Sequence, residues 1–158
     1  MKLALSAALA VLSACAQAQD AEKRQVIQTV ERTFQAMAGR DAAALRAILL
    51  PAAQFTAITP TGTVSTASAE EFVQRIAAAK ETPLERMWNP VVLLSGRLAT
   101  LWAPYDFHRG AQFSHCGVDA VHLVQTPEGW KIMSIAYTVQ KENCPPSPLG
   151  PPPTPPNP

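Results

Sequence analysis

Three short turn signals, Ser95-Gly96-Arg97, Arg109-Gly110-Ala111-Gln112 and Thr126-Pro127-Glu128-Gly129, punctuate the second half of this 158-residue chain. Between and around them lie four extended runs, at residues 85–94, 98–108, 113–125 and 130–140. Strands joined by so few residues have no room for a crossover, so consecutive runs must pair as an antiparallel meander. Pro90 inside the first run cannot donate to a ladder, which assigns that run to an edge or interrupts it with a bulge.

The first half has a different period. Val26, Ile27, Val30, Phe34 and Met37 recur at helical spacing, with Asp20 as a candidate N-cap and Gly39 as the end. Asp41 caps a second, short helix that must stop before Pro51. Residues 54–59 alternate like a strand and turn at Pro60-Thr61-Gly62. Ser68 with Glu71 makes a capping box for a third helix, which turns Phe72, Val73 and Ile76 inward. Helices first and a sheet afterwards is the α+β order.

Both ends fall outside this core. Lys2 precedes an apolar run from Leu3 to Ala14, the length of a secretory signal core and too short to span a bilayer. Two processing readings stand. Ala16-Gln17-Ala18 is an A-x-A cleavage site that would release a soluble chain starting at Gln19, and Leu12-Ser13-Ala14-Cys15 resembles a bacterial lipobox that would leave Cys15 lipidated. Either route exports the chain, so the periplasm is the expected compartment, and only a lipid on Cys15 would tie it to a membrane. At the other end, residues 145–158 hold nine prolines in fourteen positions and are expected to form a disordered or polyproline II tail. The expected division is therefore a signal peptide over 1–18, one domain over 19–144 and a tail over 145–158.

Charge and cysteine count narrow the partners. The chain has 13 basic and 12 acidic residues, and removing residues 1–18 takes away Lys2 alone, leaving 12 against 12. A neutral chain without basic runs argues against nucleic acid and leaves a small molecule or a second copy as partner. Once Cys15 is cleaved off or lipidated, Cys116 and Cys144 remain, and two cysteines in an oxidising compartment predict one disulfide. Closing that loop would contribute roughly 3–4 kcal/mol. No P-loop, GxGxxG, G-x-S-x-G, HExxH or Cys-x-x-Cys pattern is present, so neither cofactor nor metal is expected.

Taking the hairpin loops as even in length pairs His108 with Phe113 and Gln125 with Trp130. Uninterrupted pairing from there assembles one face from Trp102, Asp106, His108, His115, Asp119, Trp130 and Ser134. That face has an apolar end, small residues in the middle and a polar end, the mixture a ligand pocket needs. In this register His115 lies opposite Asp106 with Asp119 beside it, which makes the three of them candidates for general acid–base chemistry. The other face would carry Leu101, Ala103, Tyr105, Phe107, His122, Ile135 and Tyr137. It is too apolar for open solvent, so a second copy of the sheet is the expected cover.

The order of elements, with the segments W-A-P-Y-D-F, F-S-H-C-G-V-D and E-G-W-K-I-M-S-I-A-Y-T, resembles the nuclear transport factor 2-like superfamily over residues 20–142. Its exported lumazine-binding branch is the nearest likeness. The resemblance implies a cone, with three N-terminal helices packed on a strongly curved antiparallel sheet and a pocket at the open end. It also implies a choice of functions: a noncatalytic ligand binder, a cofactor-independent isomerase or dehydratase of the ketosteroid-isomerase kind, or a structural module. Fold alone does not decide among these.

Overall fold

The computed structural model describes residues 2–152, with side chains described from residue 17. The first element, α1 (Lys2–Ala38), is one continuous helix of 37 residues. Asp20 therefore does not cap a helix as expected. It lies inside α1, 4.0 Å from Lys23, because the Ala, Leu and Gln residues before it are good helix formers with no breaker among them. The side chain of Cys15 lies outside the described residues, and so do residues 153–158 of the tail.

The inward stripe of α1 buries Val26, Val30, Phe34 and Met37. Thr29 and Thr33 are buried on the same helix, and each hydroxyl donates to the carbonyl four residues back, so neither is left unpaired. Arg40, in the left-handed region at φ 52°, turns the chain after α1. The Asp41 carboxylate then accepts from Ala44 N at 2.9 Å and opens α2 (Ala42–Ile48). Leu49 and Leu50, expected in that helix, begin β1 (Leu49–Ile58) instead. A strand not anticipated, β2 (Val64–Ser68), returns against β1. The capping box of α3 (Ala69–Ala77) is complete: Glu71 N donates to Ser68 Oγ, and the Glu71 carboxylate accepts from Ser68 N.

The first extended run divides at Trp88-Asn89-Pro90 into β3 (Pro83–Met87) and β4 (Val91–Ser95). Both pair with the same side of β5 (Leu98–Arg109), so Pro90 sits on an edge where its missing N–H costs no ladder bond. Then come β6 (Gln112–Thr126) and β7 (Gly129–Thr138), each joined to its predecessor by a two-residue turn. The sheet order is β2-β1-β7-β6-β5-β3, with β4 beside β5. It is antiparallel except that β1 runs parallel to β7. The helices cover one face of this sheet, and the core between them contains Val26, Val30, Leu45, Val73, Leu101, Val121, Leu123 and Ile132.

Two irregularities alter the expected register. His108 pairs with Phe113 as expected, but Phe107 then pairs with His115, so Ser114 is an extra residue in β6. Gln125 pairs with Trp130 and Leu123 with Ile132, but His122 pairs with Ser134, so Met133 is an extra residue in β7. Each bulge reverses the parity relation between its two strands. The inward face of β5 is consequently Ala99, Leu101, Ala103 and Tyr105, all at most 1% exposed, and not Trp102, Asp106 and His108. On β7, Ile135 and Tyr137 face inward in place of Ser134. The expected assignment of His115 and Asp119 to the inner face of β6 is met.

Cys116 and Cys144 form the disulfide, with their Cα atoms 6.0 Å apart. Cys116 faces outward, and the bridge ties the segment after β7 to that side of the sheet.

Candidate functional site

Between the helices and the curved sheet lies a cavity of about 560 Å³. Its walls are apolar: Phe34 and Met37 from α1, Phe55 from β1, Phe72 and Ile76 from α3, Phe107 from β5 and Ile135 from β7. Phe55 and Phe72 stack with centroids 3.8 Å apart and planes 5° from parallel, giving one wall a flat surface. A few polar groups converge on this space: Glu85, Tyr105, His115, Asp119 and Tyr137.

Glu85 and Asp119 are the centre of that group. Asp119 is 2% exposed, and no N–H or hydroxyl donates to its Oδ2. The carboxyl of Glu85 meets it. Burial pushes Glu85 well above the usual carboxylate range, and the charge and hydrogen bond of Asp119 push it further. Burial likewise raises Asp119, to about 7, while the hydrogen bond from Glu85 works against that rise. Two carboxylates cannot hydrogen-bond without a proton between them, so the pair shares at least one proton at neutral pH.

Two phenols flank the pair. Tyr137 is the direct cross-strand partner of Asp119. Tyr105, beside Gly117 on the neighbouring strand, donates from its hydroxyl to Thr138 O at 2.8 Å. Burial, then the charges of Glu85 and Asp119, push the Tyr105 phenol far above its ordinary range, so it stays protonated. Gly117 makes this arrangement possible, since a Cβ there would come within 1.9 Å of Thr138 O. Only glycine lets the end of β7 approach closely enough to meet the Tyr105 hydroxyl.

His115 lines the cavity without joining the carboxyl pair. Its ring packs on Phe107 with centroids 4.9 Å apart and meets the edge of Tyr105 at 5.7 Å. Its Nδ1 lies 3.0 Å from Ser114 Oγ. Burial, followed by the charges of Arg109 and Lys141, lowers its pKa to about 4. The imidazole is therefore neutral at physiological pH and has no carboxylate beside it. The expected His115–Asp106 acid–base pair is not formed, because the bulge at Ser114 sends the two residues to opposite faces.

Five of the seven expected lining residues lie elsewhere. Asp106 and His108 face outward: Arg86 holds Asp106 through two hydrogen bonds, Nε to Oδ1 at 2.9 Å and Nη2 to Oδ2 at 2.5 Å. His108 Nε2 is 3.6 Å from Asp106 Oδ1. Burial alone would raise Asp106, but the hydrogen bonds from Arg86 and Ser147 and the Arg86 charge outweigh it and hold the carboxyl low. Trp102 is 55% exposed on the outer face. Ser134 Oγ lies 3.1 Å from His122 Nδ1 on that same face. Trp130 is a core residue, 4% exposed. With Asp106 and His108 on one side of the sheet and His115 and Asp119 on the other, these four cannot ligate one metal ion.

Glu85, Tyr105 and Tyr137 are the site residues that the sequence reading missed. A signal for Tyr105 was present: Ala99, Leu101, Ala103 and Tyr105 are the more apolar parity of their strand, as a core face should be, while Thr100, Pro104 and Asp106 are not. Glu85, a carboxylate one residue before an arginine on an edge strand, had no comparable signal.

A family model described as "Putative lumazine-binding" matches residues 21–138. A comparison with curated proteins yields no match. Among solved structures, a "putative dehydratase" of the nuclear transport factor 2-like family from Streptomyces avermitilis aligns at 19% identity with TM-score 0.63, over 77% of this chain and 97% of that one. A superfamily member from Salmonella enterica aligns at 14% identity and TM-score 0.64, over 80% and 96%. One with a cystatin-like fold from Novosphingobium aromaticivorans aligns at 12% and 0.64, over 83% and 90%. At such identities the likeness is one of fold. From the match across residues 21–138, the chain belongs to the "Putative lumazine-binding" family, and it shares the helix-on-curved-sheet fold of the nuclear transport factor 2-like structures.

Proposed function

We propose that this chain is an exported domain that binds a small, partly apolar molecule in the cavity between its helices and its sheet. The observation that carries this reading is the cavity itself: about 560 Å³ with phenylalanine walls and the Glu85–Asp119 carboxyl pair on its polar side. Holding the buried Asp119 beside a second carboxyl without a counter-cation costs stability, and a site for a polar ligand group is a physical reason to retain the pair. The family description is consistent with a small-molecule ligand.

The neutral fluorophore N-phenyl-1-naphthylamine tests it. Its emission should rise on binding the wild-type protein and fail to rise with Ile135→Trp or Ala79→Trp, which fill the cavity from its wall and its rim. Circular dichroism checks that both variants fold. Emission that never rises, or that survives both substitutions, would remove the cavity from consideration.

Export rests on the signal-like residues 1–18, with either Gln19 or lipidated Cys15 as the mature first residue, and the Cys116–Cys144 disulfide is consistent with an oxidising compartment. Mass spectrometry of the mature chain distinguishes the two ends. The face expected beneath a second copy, with Leu101, Ala103 and Tyr105, is covered by the helices instead. A homodimer through the outer sheet face is therefore supported by other apolar side chains exposed there: Val91 at 56%, Leu93 at 67% and Trp102 at 55%.

A second reading, a cofactor-independent isomerase or dehydratase, is favoured by the Glu85–Asp119 proton between two protonated phenols. Asp119 would take a proton from carbon beside a carbonyl and return it, while Glu85 or a phenol donates to the carbonyl oxygen. Turnover of a β,γ-unsaturated ketone to its conjugated isomer, read by ultraviolet absorbance, should fall roughly 10²–10⁴-fold in Asp119→Asn. No turnover by the wild type would leave the binder alone standing.

A further inference from the structure

The rim of the cavity differs from its walls. Arg75, Lys80 and Arg109 all line it and are exposed, with Glu81 as the one acid among them. Two arginines elsewhere are held by carboxylates, Arg46 by Glu70 at 2.6 Å and Arg86 by Asp106 at 2.5 Å. Among the described residues, none of the three rim cations takes part in an ion pair.

The rim is also held in position. Arg75 lies with its guanidinium carbon 5.6 Å above the Phe72 ring, on the stacked wall of the cavity. The segment carrying Lys80 is clamped by Arg40, whose Nη1 donates to Ala79 O at 3.1 Å and Lys80 O at 3.3 Å. Arg109 pairs across the sheet edge with Pro83, and the adjoining turn donates from Gly110 N to Thr82 O at 2.8 Å. After burial, the charges of Arg109 and Lys141 further depress the basicity of His115 on the wall.

We infer that the cavity selects an amphipathic anion, its apolar body against Phe34, Phe55 and Phe72 and one acidic group held at the rim by Arg75, Lys80 and Arg109. Carboxylate, sulfonate and phosphate monoester share the geometry that arginine forks and lysine recognise. The Glu85–Asp119 pair sets the orientation. Glu85 and Asp119 also line the cavity and can accept from a neutral donor, whereas an acidic head placed beside them would meet two carboxyls and no cation. The head therefore stays outward, where exposed cations on a low-dielectric wall concentrate anions.

This inference rests on the cavity-binding reading, and a matched pair of fluorophores separates the two. 8-Anilinonaphthalene-1-sulfonate carries the same aromatic body as N-phenyl-1-naphthylamine plus one sulfonate. The wild type should bind the sulfonate about tenfold more tightly than the neutral compound, with the advantage shrinking as salt rises. In Arg75→Gln/Lys80→Gln/Arg109→Gln the ratio of the two affinities should fall to near one. Ile135→Trp should abolish both signals, and sulfonate emission persisting there would locate it on the outer apolar patch and overturn the inference. Equal affinities in the wild type, or a ratio unchanged in the triple variant, would overturn anion selection while the cavity reading stands. If neither compound binds, both fall together.

Discussion

On the outer face of the sheet, Asp106 is buried against Arg86, which reaches it through two nitrogens. On the inner face, Asp119 is buried against Glu85, which brings a second carboxyl. Glu85 and Arg86 are neighbours on β3, so one residue of parity sends an acid inward and its counter-cation outward. Asp106 is thereby held ionised and tied into the fold. Asp119 shares a proton and gains nothing in stability from its partner's charge. Buried acids of the same type become structural or reactive according to what the neighbouring strand offers them.

The largest effect separating the two regions should come from Arg86→Ala. It leaves Asp106 buried without its partner, which typically costs about 3 kcal/mol or more. A urea denaturation midpoint indistinguishable from wild type would mean that the outer pair is not structural.

The inner pair should behave in the opposite sense. Asp119 is raised in the folded state, so its contribution is fully present below the unfolded value of about 4 and lost as pH rises through about 7. Asp119→Asn should therefore be more stable than wild type at pH 8, by on the order of 2 kcal/mol, with the gain vanishing toward pH 4. Asp106 is lowered, so its contribution is present at neutral pH and lost as pH falls below about 4. Urea melts of wild type and Asp119→Asn across this range test the sign, and parallel profiles would deny the shared proton.

Two smaller effects sharpen the contrast. The His115 imidazole, neutral on the inner face, should titrate by proton NMR with a midpoint near 4. A midpoint above 6 would mean that the ring is solvated rather than buried against Phe107. Trp102→Ser, on the outer face away from both acids, should change monomer stability by less than about 0.5 kcal/mol. Its effect should appear instead as a shift toward monomer in sedimentation, and an unchanged sedimentation coefficient would exclude the outer patch as the contact between copies.

Much of the local structure was legible because its causes are local. Asp41 and Ser68–Glu71 cap helices through groups three residues apart, and the hairpin turns are set by their glycines and prolines. The exception at α1 is equally local, since nothing in the residues before Asp20 ends a helix. The candidate site was legible in part. His115 and Asp119 were found because they lie on the same strand as one another and keep their mutual parity whatever the neighbours do. Asp106, His108, Trp102 and Ser134 were misassigned because their position relative to β6 depends on pairing between strands.

By itself the sequence determined the α+β order, the antiparallel neighbours, the caps of α2 and α3 and the pairing of Cys116 with Cys144. The tertiary structure alone decided the bulges at Ser114 and Met133, the parallel seam between β1 and β7 and the meeting of Glu85 with Asp119. The physical reason is one of range. Turns and caps are settled within a few residues, whereas a bulge takes its place from how a long sheet must bend around its helices, and that closure involves residues far apart in the chain.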